Sequence, residues 1–163
     1  MSSTSLRTFF QKPAFGLLVM RLTIGALMTY YGAAKFLGAF NNGVEQFGQI
    51  GKNIVVLGIP APDDSITAIL FGIAAASAEF FGGICLVLGW FFRPAALAIF
   101  FTMVVATVMK IQVSDGELSE FAYAMVMGLI TFGLLWTGPG GIALEGESKA
   151  KSAAPAKKPA KKK

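Results

Sequence analysis

Four long apolar stretches alternate with polar segments along the chain. The stretches cover residues 14–37, 66–90, 95–111 and 121–136, and each contains few charged residues. A helix needs about 20 consecutive apolar residues to cross the hydrocarbon core of a bilayer, which is about 30 Å thick. The pattern therefore predicts an all-α protein in which residues 14–137 form a four-helix transmembrane bundle.

The segments around the four spans differ in character. Residues 1–13 form a polar N-terminal segment. Residues 44–57, between spans 1 and 2, have the pattern of a short amphipathic helix lying at the membrane interface, and residues 58–62 have that of a turn. Asp63, Asp64 or Ser65 can cap the second span. Residues 138–163 form a tail that is rich in Lys, Ala and Pro from residue 149; disorder is predicted there because this composition cannot bury a core.

The first span also has to be compared with a signal peptide. A signal peptide has an uninterrupted apolar core followed by a cleavage site of small residues. Arg21 interrupts the apolar core of this span. An uncleaved first membrane helix is therefore predicted.

Lysine and arginine in the short loops predict the orientation, because cytoplasmic loops carry an excess of both. Four spans put the two termini on the same side as the turn after span 2, and that side carries Arg7, Lys12, Arg93 and the tail lysines. The opposite loops are mainly acidic, with Lys52 and Lys110 against six carboxylates. Both termini and the Arg93 turn are therefore predicted to be cytoplasmic.

Composition narrows the function classes. Of the 163 residues, 55% are hydrophobic and 14% are charged, whereas soluble domains are about 25% charged. The chain has no His and one Cys, Cys85, which excludes His-ligated haem or metal sites, Ser-His-Asp catalysis and an intrachain disulfide. No self-contained redox or hydrolytic centre and no metal site is evident, so whether the chain is an enzyme stays open.

The net charge of +5 comes from one short segment. Residues 149–163 hold seven of the fourteen basic residues, which leaves seven basic and nine acidic residues, a net charge of −2, in the rest of the chain. The body is therefore not a basic nucleic-acid binder. A lysine-rich tail beside a membrane is attracted to anionic lipid by about 1 kcal/mol for each lysine near the surface, so lipid rather than nucleic acid is the predicted partner of the tail.

Three charged residues lie inside the first two spans, on faces rich in small residues. The 4, 3, 4, 3 spacing in span 1 places five residues on one helix face: Arg21, Gly25, Met28, Gly32 and Lys35. Glu79 shares a face of span 2 with Gly72, Ala76 and Gly83. Small residues let helices pack closely, so Gly25, Gly32 and Gly83 are predicted packing positions. Such faces also permit an oligomer without specifying one.

Depth along the helices predicts the partners of these charges. Arg21 is eight residues past Pro13 and Glu79 is ten residues before Gly89, which places them roughly 12 and 15 Å from the same membrane boundary. A buried Arg21–Glu79 ion pair is predicted, either as a structural pair that fixes helix register or as a ligand or proton site. In that register Lys35 reaches Asp64 or Asp63 near the outer surface, where it either snorkels or binds a ligand. Tyr31 belongs either to an aromatic belt or to an outer pocket.

The order of several short motifs resembles the DoxX family of small bacterial membrane proteins. These motifs are residues 21–25 (RLTIG), 32–37 (GAAKFL), 57–62 (LGIPAP), 79–83 (EFFGG), 86–94 (LVLGWFFRP) and 138–145 (GPGGIALE). In the last motif, Ala143 and Glu145 stand where the family often has Ser and Asp. The resemblance implies a four-helix domain in the bacterial inner membrane, with the family's charged positions at Arg21, Lys35, Glu79 and Arg93.

The resemblance also implies a role in redox metabolism, because some members are subunits of thiosulfate:quinone oxidoreductase and others are linked to quinone, sulfur or redox stress. An accessory membrane subunit of a quinone- or sulfur-linked oxidoreductase system is the main hypothesis, with quinone as the candidate cofactor. A small permease is one alternative. The other is a structural or recruiting protein whose lysine tail, absent from the family pattern, binds anionic lipid or an acidic partner.

Overall fold

The computed structural model describes residues 13–62, 65–140 and 143–144. They form helix α1 (Pro13–Asn42), α2 (Glu45–Gly51), a 3₁₀ helix (Lys52–Leu57), α3 (Ile66–Leu88), α4 (Phe92–Val113) and α5 (Leu118–Thr137). Helices α1, α3, α4 and α5 are long and apolar enough to cross a membrane. The predicted four-helix transmembrane bundle is therefore confirmed. The predictions for residues 1–12, for Asp63 and Asp64 and for the lysine-rich tail fall outside the described residues.

The helix bounds differ from the apolar stretches mainly in the first span. Helix α1 runs to Asn42, five residues beyond the predicted end, because helical hydrogen bonding continues through Gly38 and up to the two asparagines before Gly43, whose φ is 87°. Ser65 caps α3 by accepting a 3.1 Å hydrogen bond from the backbone N–H of Ala68. Gly89 ends α3 with a φ of 67°, a left-handed conformation that glycine adopts at little cost. The tight turn that follows sends the chain back as α4.

The helices pack in sequence order, α1 against α3, α3 against α4 and α4 against α5. Helix α2 lies across the first half of α3, where glycines let the two backbones touch: a Cβ added at Gly51 would lie 2.5 Å from the backbone nitrogen of Gly72. Phe47 is buried in this contact. The predicted interfacial segment between spans 1 and 2 is thus a short helix packed on the bundle.

Buried apolar side chains divide the bundle into two halves. The half that contains the turn at residues 89–91 is called the turn half, and the half that carries α2 is called the loop half. The larger buried cluster lies mostly in the turn half and consists of Ile24, Met28, Leu86, Phe92, Ala96, Ile99, Met103, Ala124 and Leu134. The smaller cluster lies in the loop half and consists of Ala39, Phe47 and Ala76.

Candidate functional site

Glycines on α1 and α3 set the register of the two helices that carry the buried charges. A Cβ added at Gly25 would lie 2.7 Å from the carbonyl oxygen of Gly83, and one at Gly83 would lie 2.5 Å from the backbone nitrogen of Thr29. Gly32 lies against the backbone of Phe80 in the same way. The structure therefore brings Gly25, Gly32 and Gly83 together at one backbone-to-backbone contact.

In this register Glu79 binds Lys35. The Nζ of Lys35 donates a hydrogen bond to Oε1 of Glu79 in an ion pair between α1 and α3. Glu79 is 3% exposed, and the Lys35 side chain is 28% exposed. The pair lies nine residues before the end of α3 at Leu88, well inside the bundle.

The predicted Arg21–Glu79 ion pair is wrong. Arg21 is buried, but it lies beside Gly89 at the end of α3. Its Nη1 donates a 2.7 Å hydrogen bond to the carbonyl oxygen of Pro139. Arg21 therefore ties α1 to the chain that leaves α5. Gly89 is ten residues after Glu79, which corresponds to a rise of about 15 Å along a helix.

The error arises from the assumed depth of Arg21. The first turns of α1 run past the end of α3, so Pro13 does not mark the level of Gly89. Because Gly32 is level with Phe80, the next turn of α1 brings Lys35 to Glu79. Within the described residues Lys35 pairs with Glu79, and the predicted extension of Lys35 toward Asp63 or Asp64 falls outside them.

A cavity of about 420 Å³ lies beside the ion pair. It is called the α3–α4 cavity, and α1, the end of α2 and the 3₁₀ helix complete its wall. Its lining is mainly apolar and includes many alanines: Lys35, Ile50, Gly51, Asn53, Ile54, Leu57, Phe71, Ala74, Ala75, Ala78, Glu79, Ala98, Phe101, Thr102, Val105 and Ala106. A volume of this size falls in the range of small-molecule sites.

Few polar groups of the cavity wall are available to a ligand. The hydroxyl of Thr102 donates a 2.8 Å hydrogen bond to the carbonyl oxygen of Ile99 in its own helix. Lys35, Glu79 and Asn53 are the other lining residues with polar side chains. A ligand in this cavity therefore meets an apolar surface with a charged pair at one place.

The Glu79 carboxylate has an unused acceptor. Its Oε2 is buried and accepts no hydrogen bond from any residue in the described part of the chain. A buried acceptor without a donor costs about 1–3 kcal/mol, and more when it is charged. This atom therefore marks the ion pair as a place where a hydrogen-bond donor would be stabilising.

Large exposed side chains flank the cavity on the side of the lipid. Leu57, Phe71 and Phe101 line the cavity and are 49%, 36% and 57% exposed. Phe71 and Phe101 belong to the membrane helices α3 and α4, whose outer surfaces contact acyl chains in a bilayer. An opening of the cavity between Phe71 and Phe101 would therefore face acyl chains in a bilayer.

Two tyrosines lie near the pair on the other side. The rings of Tyr31 and Tyr123 pack with centroids 5.4 Å apart, and Tyr31 is one helical turn before Lys35 on α1. Tyr123 belongs to α5, so this ring contact joins α5 to α1. Tyr31 contacts Tyr30 as well, with centroids 5.6 Å apart.

The remaining predicted residues are distributed as follows. Arg93 is exposed in the first turn of α4, away from the ion pair, and Asp64 lies outside the described residues. Sequence reasoning missed Asn53 and the cavity-forming role of the 3₁₀ helix. The spacing of four residues between Tyr31 and Lys35 already indicated that both lie on one face of α1, whereas nothing in the sequence indicated the contact of Tyr31 with Tyr123.

A family model described as DoxX matches residues 16–111. The match includes Lys35, Glu79 and every residue that lines the α3–α4 cavity. Comparison with curated proteins and with solved structures found no match. Because the family model covers more than half of the chain, this protein belongs to the DoxX family.

Proposed function

We propose that this protein is an accessory membrane subunit of an oxidoreductase system and binds a quinone in the α3–α4 cavity. The observation that carries the proposal is the cavity of about 420 Å³ with the Lys35–Glu79 pair in its wall. Its apolar lining and its mouth toward the lipid suit a molecule that is dissolved in the membrane.

The chemistry of a quinone matches this wall. A quinone has a flat apolar ring, carbonyl oxygens that accept hydrogen bonds and a long apolar tail. The Lys35 ammonium has three N–H donors, and Glu79 Oε1 takes one of them. A further donor can bind a carbonyl oxygen of the ring, while the alanines leave room for the ring itself.

The accessory role follows from composition. The chain has no His and one Cys, and the Lys35 and Glu79 side chains in the cavity wall can bind and orient a ligand but carry no electrons. Electrons for a bound quinone therefore come from the cofactor of a partner subunit. The proposed partner is therefore a subunit that carries a redox cofactor.

Extraction and mass spectrometry of the purified protein test the proposal. We expect quinone to be enriched relative to phospholipid in the wild type. The Ala75→Leu variant should lose this enrichment, because a larger side chain fills the cavity. Leu129→Ala is the matched control, since Leu129 is 61% exposed on α5 and does not line the cavity. Equal quinone content in wild type and Ala75→Leu would contradict binding in the cavity.

We also propose that both termini and the Arg93 turn face the cytoplasm, in the inner membrane. Support comes from the excess of Lys and Arg on that side of the sequence. The test is labelling of intact cells with a membrane-impermeant thiol reagent in a Cys85→Ala background. A cysteine at Ser152 should stay unlabelled and one at Asp115, in the α4–α5 loop, should be labelled. The opposite pattern would reverse the topology.

A further inference from the structure

We propose that the α3–α4 cavity binds the reduced, hydroxyl-bearing form of its ligand, the hydroquinone, more tightly than the oxidised quinone, with the Glu79 carboxylate as the hydrogen-bond acceptor. The inference rests on the proposed function, and it names which form of the ligand the site selects. It follows from what the wall offers: a carboxylate with one occupied oxygen and one unused oxygen.

One of the two carboxylate oxygens of Glu79 has a hydrogen-bond donor among the described residues and the other has none. Oε1 of Glu79 accepts from Lys35, and Oε2 accepts from no described residue although Glu79 is 3% exposed. Thr102, the hydroxyl residue in the wall, donates to its own helix. In this geometry no donor of the described residues reaches Oε2, and a ligand that supplies one removes this cost.

A ligand in the cavity can reach the Glu79 carboxylate. Glu79 belongs to the lining of the cavity. The last torsion of a glutamate side chain has a broad energy profile, so the carboxylate can turn and present either oxygen while the other one keeps the Lys35 ammonium. A ligand hydroxyl beside Glu79 then makes a charge-assisted hydrogen bond, which is roughly twice as strong as a neutral one.

The quinone and the hydroquinone differ in the hydrogen bonds that they can make with Glu79 and Lys35. A quinone offers carbonyl oxygens, which are acceptors, and an acceptor facing Oε2 leaves both atoms unsatisfied. A hydroquinone has two hydroxyl groups, each with one donor and two acceptor lone pairs. It can donate to Glu79 and still accept from Lys35, whereas the quinone uses Lys35 alone.

Binding of three ring compounds with the same decyl tail tests the inference. They are the hydroquinone, the quinone and the dimethyl ether of the hydroquinone, which has the shape of the hydroquinone without its donors. We expect the wild-type protein in nanodiscs, under anaerobic conditions, to bind the hydroquinone about tenfold to a hundredfold more tightly than either of the others. Intrinsic fluorescence or calorimetry measures the affinities.

Two variants locate the effect at the carboxylate. Glu79→Gln removes the charged acceptor and should reduce the preference for the hydroquinone to less than about threefold. Glu120→Gln is the matched control, because Glu120 is an exposed carboxylate in an ion pair with Lys110 and should leave the preference unchanged. If Glu79→Gln does not fold, the comparison of the three compounds in the wild type decides alone.

The possible outcomes are distinct. Equal affinity for the quinone and the hydroquinone overturns this inference and leaves the proposed function standing. Equal affinity for the hydroquinone and its dimethyl ether also overturns it, because shape then decides. No binding of any of the three compounds, or phospholipid retained in their place, overturns the inference and the proposed function together.

Discussion

The two halves of the bundle use different side chains at equivalent positions of the same helices. In the turn half, α3 and α4 face each other with large residues such as Leu86, Phe92 and Ile99, all of which are fully buried. In the loop half, small residues such as Ala75 and Ala106 stand where α3 and α4 face each other, and a cavity of about 420 Å³ remains. Both halves contain a charged residue of α1: Lys35 binds the Glu79 carboxylate in the loop half, and Arg21 donates to the Pro139 carbonyl oxygen in the turn half.

This difference indicates that the turn half mainly stabilises the fold, whereas the loop half contains the candidate ligand site. Packed large side chains leave no room for a ligand, whereas small side chains leave contacts unmade and volume unfilled. An ion pair beside that volume costs desolvation, which is seldom recovered from the pair alone. We therefore expect the loop half to contribute less to stability than the turn half, and under the proposed function its small side chains serve binding rather than packing. Substitutions in each half, and at the contact between α1 and α3, test this division.

The largest effect is expected from Glu79→Leu. Removal of the carboxylate leaves the Lys35 ammonium without its partner in the membrane, which should cost about 3–5 kcal/mol of unfolding free energy. Thermal or denaturant unfolding in detergent micelles measures the loss. Lys35→Leu in the same chain should recover most of it, because an apolar pair replaces the ion pair. The exposed pair gives the control: Glu120→Leu, which breaks the contact with Lys110, should cost about 1 kcal/mol or less.

A second double-mutant cycle tests whether Glu79 is coupled to Lys35 or to Arg21. Arg21→Leu combined with Glu79→Leu should give the sum of the two single losses, since the residues share no contact. A recovery of stability in this combination, and none with Lys35→Leu, would restore the Arg21–Glu79 pair.

Leu86→Ala tests the turn half. Leu86 is fully buried in the larger cluster, and the cavity left by its truncation should cost about 2–5 kcal/mol. The ligand affinity of the remaining folded protein should stay within about twofold of the wild type. Val126→Ala on the exposed face of α5, where Val126 is 44% exposed, is the matched truncation. A large loss of affinity in Leu86→Ala would show that the two halves are not separable.

Gly83→Ala tests the contact that places Lys35 beside Glu79. The added Cβ would lie 2.6 Å from the carbonyl oxygen of Gly25, so the backbones of α1 and α3 have to separate, at a cost of about 1–3 kcal/mol. Gly133→Ala is the control, because a Cβ at Gly133 meets nothing within 4 Å. Its unfolding midpoint should be unchanged or higher, since alanine favours helix by about 1 kcal/mol over glycine. Equal effects at both glycines would mean that the close contact does not fix the register.

Ala75→Leu should have the smallest effect on stability and a large one on binding. The new side chain enters existing volume in the cavity, so the unfolding free energy should change by less than about 1 kcal/mol. Affinity for a ring ligand should fall at least about tenfold, because the ligand and the leucine compete for the same space. Unchanged affinity with unchanged stability would place the ligand elsewhere.

The sequence was sufficient for the four membrane helices and for the glycine face of α1. Each span needs a long apolar run, and a spacing of seven residues between Gly25 and Gly32 leaves both on one face. The sequence was not sufficient to predict which basic residue of α1 pairs with Glu79. Arg21 and Lys35 are fourteen residues apart, which is two repeats of the same face, so sliding α1 along α3 by about four turns exchanges one for the other.

The register between two helices depends on contacts that neither helix specifies alone. Two backbone contacts set the position of α1 along α3: Gly32 lies against Phe80, and Gly83 lies against Thr29. Both contacts arise only when the two helices pack together, so neither helix sequence predicts them alone. The α3–α4 cavity was beyond sequence reasoning for a similar reason. An alanine in a membrane helix either lets a neighbour approach, as Ala76 does, or leaves a space, as Ala75 does, and the difference lies in the partner.

Helix α1 has 30 residues and a length of about 45 Å, whereas the hydrocarbon layer around it is about 30 Å thick. A helix with this mismatch tilts from the membrane normal or extends into the headgroup region at its ends. Because Gly25 and Gly32 hold α1 against α3, a tilt of α1 carries α3 and both ends of the Lys35–Glu79 pair with it. The thickness of the surrounding bilayer therefore influences the orientation of the site relative to the lipid, and affinities measured in thin and thick nanodiscs should differ.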